Sequence, residues 1–360
     1  MAYIYSELEQ FRVVSEQLEI CNSLFNKNNI PRLRICLILL DNLVEVLVIR
    51  YLKHKYSWDD FVQWIQPPEI PPNKRKELNS YFDQKIKAIH KRGVLTDEDM
   101  LVLKITHRYR CDAFHSDRHN PSILFLLTSL LFPVVSRLIL KVDAGLFGEE
   151  MTDSGQSISR KEYVWLRKYG AQPKYVSYVS ACRNLIKSVG HKRKPSLSKV
   201  LTTLSRDIDE RNESVENKLL EVFGSISSPN INPKLKQFEF GIYNYEREYE
   251  LSQKLREIHY KIVKGDTEGI NREDCASMEK DFKQSLTNEI NDYRPSISIQ
   301  SILRIRRCPK QIRQKGSLKA ALVKYSQTDD ILFLAEQVVD KVYTEWNAAV
   351  QYEIDLRRGK

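Results

Sequence analysis

The stretch from His107 to His119 concentrates side chains that transfer protons or bind phosphate groups. It reads HRYRCDAFHSDRH and holds three of the seven histidines and three arginines. An imidazole with a pKa of about 6.5 can take a proton from an RNA 2′-hydroxyl or give one to a leaving oxygen. A guanidinium can bind the scissile phosphate through two hydrogen bonds and stabilise its transition-state charge. We interpret Arg110 and His115 as such a catalytic pair for RNA cleavage.

In this reaction the 2′-oxygen attacks the adjacent phosphate and leaves a 2′,3′-cyclic phosphate, so neither a metal nor another cofactor is expected. Three carboxylates are predicted to support the pair. Asp112 lies between Arg110 and His115 in the sequence, and Asp41 and Glu45 lie four residues apart in an almost wholly apolar segment. One helical face would carry Asp41 and Glu45, and a buried carboxylate needs a partner or a task. A role in helix packing is the alternative for these two.

Two other interpretations use the same stretch. On a continuous helix, Asp112, His115 and His119 share one face, which suits a metal-dependent hydrolase. The other alternative is that these are ordinary polar residues near a helix end. The chain would then be an RNA-binding or assembly module without catalysis.

The spacing of Arg110 and His115 resembles the signature of the HEPN superfamily (higher eukaryotes and prokaryotes nucleotide-binding), in which an arginine precedes a histidine by four to six residues. Phe114 directly before the histidine and Asp112 are similar to the family's usual surroundings of that histidine. An early apolar helix with Asp41-Asn42-x-x-Glu45 also resembles the family, whose folds carry a polar or acidic residue facing the motif.

The resemblance covers roughly residues 1–142. It implies an up-and-down helical bundle, a ribonuclease site completed when two protomers bring their motifs together, and a role as a toxin or antiviral defence effector, with a possible regulatory partner protein. Two positions depart from the family pattern. Cys111 follows Arg110 where a polar residue is common, and no tyrosine stands two residues after His115. The toxin branch that is silenced by adenylylation of that tyrosine is therefore a poor match.

The charge of the chain is unevenly spread. The 57 basic and 47 acidic residues give a net charge of +10. Residues 1–150 account for +1 and residues 151–360 for +9, and two acid-free stretches, Tyr163 to Arg206 and Tyr293 to Thr328, carry ten and nine basic residues. A basic surface of this kind indicates contact with RNA or DNA; internal pairing with acidic helices such as Asp207 to Glu221 is the alternative. The candidate phosphate contacts are Arg108, Lys192, Arg193, Lys194, Arg304, Arg306 and Arg307.

The six cysteines are widely spaced and form no CxxC pair, which is typical of a reduced, cytoplasmic protein. The N-terminus has acidic residues where a signal peptide would be basic and then apolar. The best candidate for a membrane span, Asn120 to Ser136, is shorter than about 20 residues and contains Thr128, Ser129 and Pro133. We expect a buried core helix there and no membrane association.

The elements that must position these residues are predicted to be helices, so the expected fold class is all-α. Residues 1–142 are expected to form the bundle, 143–159 a linker, and 160–360 a basic helical domain with a long antiparallel hairpin at about 196–264. Leucine and isoleucine spacings predict a heptad seam in the first arm of the hairpin, interrupted by Arg211 and Lys218. The predicted helices of the bundle are Tyr5–Phe25, a helix that starts at Asn29-Ile30-Pro31 and continues as an almost wholly apolar segment to Tyr51, Asn73–Lys91, a helix capped by Thr96 that reaches at least Arg110, and one that starts at Asn120-Pro121.

Overall fold

The computed structural model describes residues 2–27, 29–115, 120–147, 149–151, 175–189, 195–226, 231–243 and 287–358, with single positions between 253 and 284. This part of the chain is helical apart from one short antiparallel ribbon, so the predicted all-α class is confirmed. The helices are α1 Ala2–Asn26, α2 Ile30–Val62, α3 Pro72–Ser80, α4 Phe82–Lys91, α5 Asp97–His115, α6 Pro121–Phe147, α7 Tyr178–Val189, α8 Leu197–Phe223, α9 Ile231–Tyr243, α10 Ile299–Ile305, α11 Cys308–Arg313 and α12 Leu318–Arg357.

The ribbon joins β1 (Glu149–Met151) to β2 (Tyr175–Ser177), with Glu149 opposite Ser177 and Met151 opposite Tyr175. The chain divides into two compact units. The first contains Met1–Asp207 and Ile312–Ser326, and the second contains Ile208–Gln311 and Gln327–Lys360.

This division differs from the predicted boundary at residues 143–159, which lies inside the first unit. The physical reason is the apolar face of α7. Cys182, Leu185 and Ile186 are buried, and α7 packs against α1 and α6. The Gly-, Ser- and acid-rich composition of residues 143–159 indicated a linker, but the helix that follows them completes the first core.

In the first unit, α2 is the central element and packs against α1, α4, α5 and α6. Its apolar residues, among them Leu40, Leu43 and Leu47, are fully buried. Phe25 of α1 stacks on Phe125 of α6 with ring centroids 5.1 Å apart. Because α2 is enclosed on several sides, any polar side chain that it carries inward must be paired.

Helix α6 is the most apolar element. Among the described residues, Pro121–Val142 is a segment long and apolar enough to cross a membrane by length and composition, and 72% of its most apolar stretch is buried inside the protein. Its residues Ile123, Leu127 and Leu131 have no exposed surface. The burial expected for this segment is confirmed.

Three helix starts agree with the sequence. The Asn29 side chain accepts a hydrogen bond of 3.1 Å from the Arg32 backbone N–H, with proline in the first turn of α2. At the start of α5, Thr96 Oγ1 accepts from the Asp99 N–H and Asp99 Oδ2 accepts from the Thr96 N–H, both at 3.1 Å. This reciprocal arrangement is a capping box. Asn120 Oδ1 accepts from the Ser122 N–H at 3.0 Å before α6.

Two helix bounds differ from expectation. The predicted helix Asn73–Lys91 is broken into α3 and α4 at Tyr81, which is extended with φ −119° and ψ 128°. The break lets Phe82, Lys85 and Ile86 turn inward, and all three are buried. Helix α2 also continues beyond the predicted Tyr51 to Val62. Its last turns are anchored by Tyr56 and by the buried Asp59, whose Oδ2 accepts from the Ile70 backbone N–H at 3.1 Å.

In the second unit, carboxylates of α12 bind Arg211 and Lys218, the two basic residues that interrupt the heptad seam of α8. Arg211 donates to Asp329 at 2.6 Å and to Glu336 at 2.8 and 2.9 Å, and Lys218 pairs with Asp340. The seam therefore has an acidic partner on α12, which sequence reasoning did not pair with it. The second arm of the predicted hairpin is helical as α9 to Tyr243, and most of its remainder lies outside the described residues.

Candidate functional site

Three helices of the first unit bring polar and aromatic side chains together around one buried carboxylate. Helix α2 supplies it, α4 packs against α2 and α5, and α5 packs against α2. We call this group the Asp41 cluster; its members are Asp41 and Glu45 of α2, Phe82 and Lys85 of α4, and His107 and Arg110 of α5.

Asp41 lies at the centre with a side chain that is 1% exposed. His107 Nδ1 is 3.0 Å from Asp41 Oδ2 and 3.1 Å from Oδ1. Arg110 donates to Oδ2 from Nε at 2.9 Å and approaches it with Nη2 at 2.8 Å. A carboxylate accepts but cannot donate, so His107 carries its proton on Nδ1 in this contact. The buried charge of Asp41 is thus held by two donors that come from a single helix.

The imidazole of His107 is fixed on two sides. Its ring stacks on Phe82 with centroids 3.7 Å apart and an angle of 4° between the planes, while Asp41 holds Nδ1. The His107 side chain is 22% exposed, and Nε2 has no hydrogen bond to any described part of the chain. This is the geometry of an oriented imidazole whose second nitrogen is available to exchange a proton.

Arg110 is a permanent cation in this setting. Burial acts to lower its pKa, but the hydrogen bond and the charge of Asp41 outweigh burial, with smaller contributions from Cys111 and Glu45, and the pKa is raised above its usual value. The side chain is 28% exposed. Because Asp41 binds Nε and Nη2, the guanidinium is held along one edge, and Nη1 forms no hydrogen bond with the described residues.

One helical turn beyond Asp41, Glu45 forms an ion pair with Lys85. The distance from Lys85 Nζ to Glu45 Oε1 is 3.3 Å, and the side chains are 8% and 31% exposed. Phe82 and Lys85 are three residues apart on α4, so one face of that helix supplies both the ring under His107 and the cation beside Glu45. The two carboxylates of the cluster, Asp41 and Glu45, lie against its two basic side chains, Arg110 and Lys85.

The structure brings Arg110, Asp41 and Glu45 together. The side chains of Asp112 and His115 lie outside the described part of the chain, as does His119, so the pairing of Arg110 with His115 and the metal triad stay predictions. The backbone of α5 is helical through His115. On such a helix, residues 110 and 115 are about 140° apart around the axis, whereas residues 107 and 110 are about 60° apart.

Sequence reasoning missed His107, Phe82 and Lys85. The spacing of three residues between His107 and Arg110, within a helix that starts at Thr96, places both on one face and is the signal that points to His107. No comparable signal marks Phe82 or Lys85, because their inward orientation depends on the break at Tyr81.

The predicted phosphate contacts have different environments. Arg304 and Arg307 are exposed and form no ion pair within the described residues. Arg306 is bound by Glu216, with Nε to Oε1 at 2.7 Å and Nη2 to Oε2 at 2.8 Å, and this pairing raises the pKa of Arg306. Internal pairing, the alternative for the basic stretches, is confirmed for Arg306. Arg108 is half-buried on α5, and Lys192, Arg193 and Lys194 lie outside the described residues.

The described residues contain no group of three or more His, Cys, Asp or Glu side chains that could hold a metal ion. In comparisons with known proteins, no family model, no curated protein and no solved structure matches this chain.

Proposed function

We propose that this protein is a metal-independent endoribonuclease of HEPN type whose site contains the Asp41 cluster. The observation that carries the proposal is the placement of His107, whose Nδ1 is held 3.0 Å from a buried carboxylate while its Nε2 is open, beside a guanidinium held by the same carboxylate. An oriented acid–base group and a fixed phosphate-binding cation beside it are together sufficient to catalyse RNA cleavage by the 2′-hydroxyl of the RNA itself.

In the proposed reaction, Arg110 binds the scissile phosphate and His107 Nε2 removes the proton of the 2′-hydroxyl. The 2′-oxygen attacks phosphorus, the bond to the 5′-oxygen breaks, and the products are a 2′,3′-cyclic phosphate and a 5′-hydroxyl. The leaving oxygen takes up a proton, for which His115 is the candidate donor. Asp41 stabilises the imidazolium that forms on His107. DNA lacks the attacking hydroxyl and is not cut by this route.

The HEPN resemblance extends the proposal to the biological context. It suggests a homodimer in which two motifs face each other, a toxin or antiviral defence role in the cytoplasm, and control by a partner protein.

The test is cleavage of mixed RNA by the full-length protein in the presence of EDTA, followed by assay of the new 3′ ends for cyclic phosphate. Because general acid–base catalysis contributes about 10²–10⁴ in rate, His107→Ala and Arg110→Ala are each expected to lower the cleavage rate by at least about 100-fold. His90→Ala is the matched control, since this histidine is bound by the exposed Asp97 outside the cluster. His115→Ala measures the second predicted histidine separately.

Cleavage by His107→Ala and Arg110→Ala proteins at the parent rate would contradict the assignment of the site. Activity that disappears with EDTA would instead support a metal-dependent hydrolase. The exposed Arg304 and Arg307 favour a third outcome, a silent RNA-binding module, which predicts salt-sensitive RNA affinity and no cleavage under any condition.

A further inference from the structure

The C-terminal end of α2 and the turn that follows it present a row of aromatic side chains to the outside. Trp58, Phe61 and Trp64 are 50%, 66% and 76% exposed, and the rings of Trp58 and Phe61 lie with their centroids 6.0 Å apart. The opposite face of the same turns is buried through Tyr56, Asp59 and Val62. The outward position of the rings is therefore fixed by packing on the inner face. We call Trp58, Phe61 and Trp64 the aromatic surface.

Two carboxylates near the aromatic surface, Asp60 and Glu69, are held by donors of the protein. Asp60 is bound by Arg75 through two hydrogen bonds of 2.7 and 2.8 Å, which lower its pKa. Glu69 lies 3.3 Å from both Lys55 and Arg92. These pairs compensate the negative charge of this region.

Several cations of the same region are not compensated. Lys53 precedes Trp58 by five residues on α2, and Lys74 and Lys76 flank Arg75, which the bond to Asp60 holds against the end of α2. These three lysine side chains are exposed, and within the described residues they form no ion pair. The aromatic surface thus lies between cations that have no partner in the part of the chain that the structure describes.

We propose that the aromatic surface binds single-stranded nucleic acid, with bases stacked on its rings and phosphates held by the flanking cations. Stacking of bases needs exposed ring faces and tolerates polar groups between the rings. The lysines that flank the aromatic surface complement the negative charge of the phosphates. An anionic membrane fits less well, because Asp60, whose side chain is 53% exposed, lies within the row. A second copy of the chain would bring the same cations together and fits less well for that reason.

This inference deepens the proposed function, since it names the surface that presents the substrate. Trp58 follows Asp41 by seventeen residues on the same helix, which is about 25 Å along its axis. A strand anchored at the aromatic surface would reach the Asp41 cluster with nucleotides several positions away. The enzyme would then require single-stranded substrates longer than the cleaved dinucleotide.

The experiment measures binding of the full-length protein to a fluorescent dT 12-mer by anisotropy. This ligand has no 2′-hydroxyl and is not cleaved, so the result does not depend on whether the protein is a ribonuclease. Trp58→Ala combined with Trp64→Ala removes two rings on which bases can stack and is therefore expected to weaken binding by about 100-fold. The matched control is Tyr352→Ala on α12, a residue that is 68% exposed and is expected to leave the affinity unchanged.

Two further variants separate stacking from folding and from charge. Trp58→Phe with Trp64→Phe retains ring faces and is expected to restore most of the affinity. Lys74→Ala with Lys76→Ala is expected to reduce the slope of log affinity against log salt by about 2.

Three results would overturn the inference. In the first, the alanine double variant binds the 12-mer as tightly as the parent. In the second, the alanine double variant binds the 12-mer like the parent but no longer binds vesicles of phosphatidylserine and phosphatidylcholine, which would mark the surface as a membrane contact. In the third, the double variant binds the 12-mer like the parent but changes from dimer to monomer in light scattering, which would mark the surface as a contact between copies.

Discussion

Asp41 holds His107 and Arg110 of α5 from a position that water does not reach. Its carboxylate is 1% exposed, and a hydrogen bond to a charged group contributes about 2 kcal/mol when it is well made. The interaction of Asp41 with His107 and Arg110 is therefore both a source of stability and the means by which the two side chains keep their orientation.

We expect Asp41→Asn to lower the free energy of unfolding by about 2 kcal/mol, because the amide keeps the shape and loses the charge that Arg110 and His107 bind. Cleavage is expected to fall by at least about tenfold. Urea denaturation and single-turnover cleavage measure the two effects. The control is Glu16→Gln, since the salt bridge of Glu16 with Arg12 has side chains 49% and 50% exposed and contributes less than about 1 kcal/mol. An unchanged unfolding midpoint for Asp41→Asn would contradict the central role of this carboxylate.

At the scale of single residues, the sequence predicts part of the cluster. Asp41 and Glu45 are conspicuous as carboxylates in an apolar helix, and Arg110 stands out in a basic, histidine-rich stretch. The spacing of the signature points to His115 and not to His107, and the partner of His107, Asp41, is 66 residues away in sequence. Only the packing of α5 against α2 brings those two side chains together.

Among the elements, α5 has the most clearly defined start. Asp99 is 3% exposed in its side chain, closes the capping box with Thr96 and is bound by Arg137 of α6. Burial acts to raise its pKa, but the hydrogen bonds from Arg137 and Thr96 outweigh burial and hold the pKa below its usual range. Asp99 thus links the beginning of the helix that carries His107 and Arg110 to the core helix α6.

A lowered pKa gives the pH dependence of this link. Since the pKa of Asp99 is lower in the folded state than the unfolded value of about 3.9, its charge stabilises the fold above that pH and the contribution is lost as the pH falls through the folded pKa. Asp99→Asn is expected to cost about 1 kcal/mol at pH 7 and progressively less below about pH 4. Urea denaturation at pH 7 and at pH 3 measures the difference.

Asp83→Asn serves as the control for Asp99→Asn. Asp83 is also in a first helical turn, but its side chain is 60% exposed and 3.7 Å from Lys104. If the cost of Asp99→Asn were the same at both pH values, the charge of Asp99 would not be what stabilises the start of α5.

The helix starts could be predicted because their signals are local. Asn29, Thr96 and Asn120 each satisfy backbone N–H groups within a few residues of themselves. The break at Tyr81 could not, since neither glycine nor proline marks it and its cause is the burial of Phe82 and Lys85 against other helices. The same limit applies to α12, whose acidic residues pair with α8 from more than 100 positions away in sequence.

For the whole molecule, net charge overstates the number of cations available to a polyanion. The second half of the chain carries +9, but Arg211, Lys218 and Arg306 are bound by carboxylates of the protein. The predicted boundary at residues 143–159 differs from the observed division for a related reason. Composition shows where charges and glycines lie along the chain. It does not show which helices pack together, because those contacts join residues that are distant in sequence.

Pairing within the protein separates the predicted phosphate contacts into two kinds. Arg304→Ala with Arg307→Ala is expected to weaken RNA binding and to reduce the slope of log affinity against log salt by about 2, because both side chains are exposed and each can release one counterion. Arg306→Ala is expected to change the slope by less, since Glu216 already neutralises this arginine. The salt dependence of both variants is measured by the anisotropy of labelled single-stranded RNA at about 50 to 300 mM salt. Equal slopes for all three proteins would contradict this assignment.

Helix α2 carries Asp41 toward the core at one point and the aromatic surface outward at another, and this fixes how its length can vary. Inserting one residue between them would rotate everything that follows by about 100°, turning Trp58 inward and Tyr56 outward. Seven residues complete two turns to within about 20° and lengthen the helix by about 10 Å. Length variants of this protein that retain both features are therefore expected to differ here in steps of about seven residues, and each step would lengthen by the same amount the strand that spans the two sites.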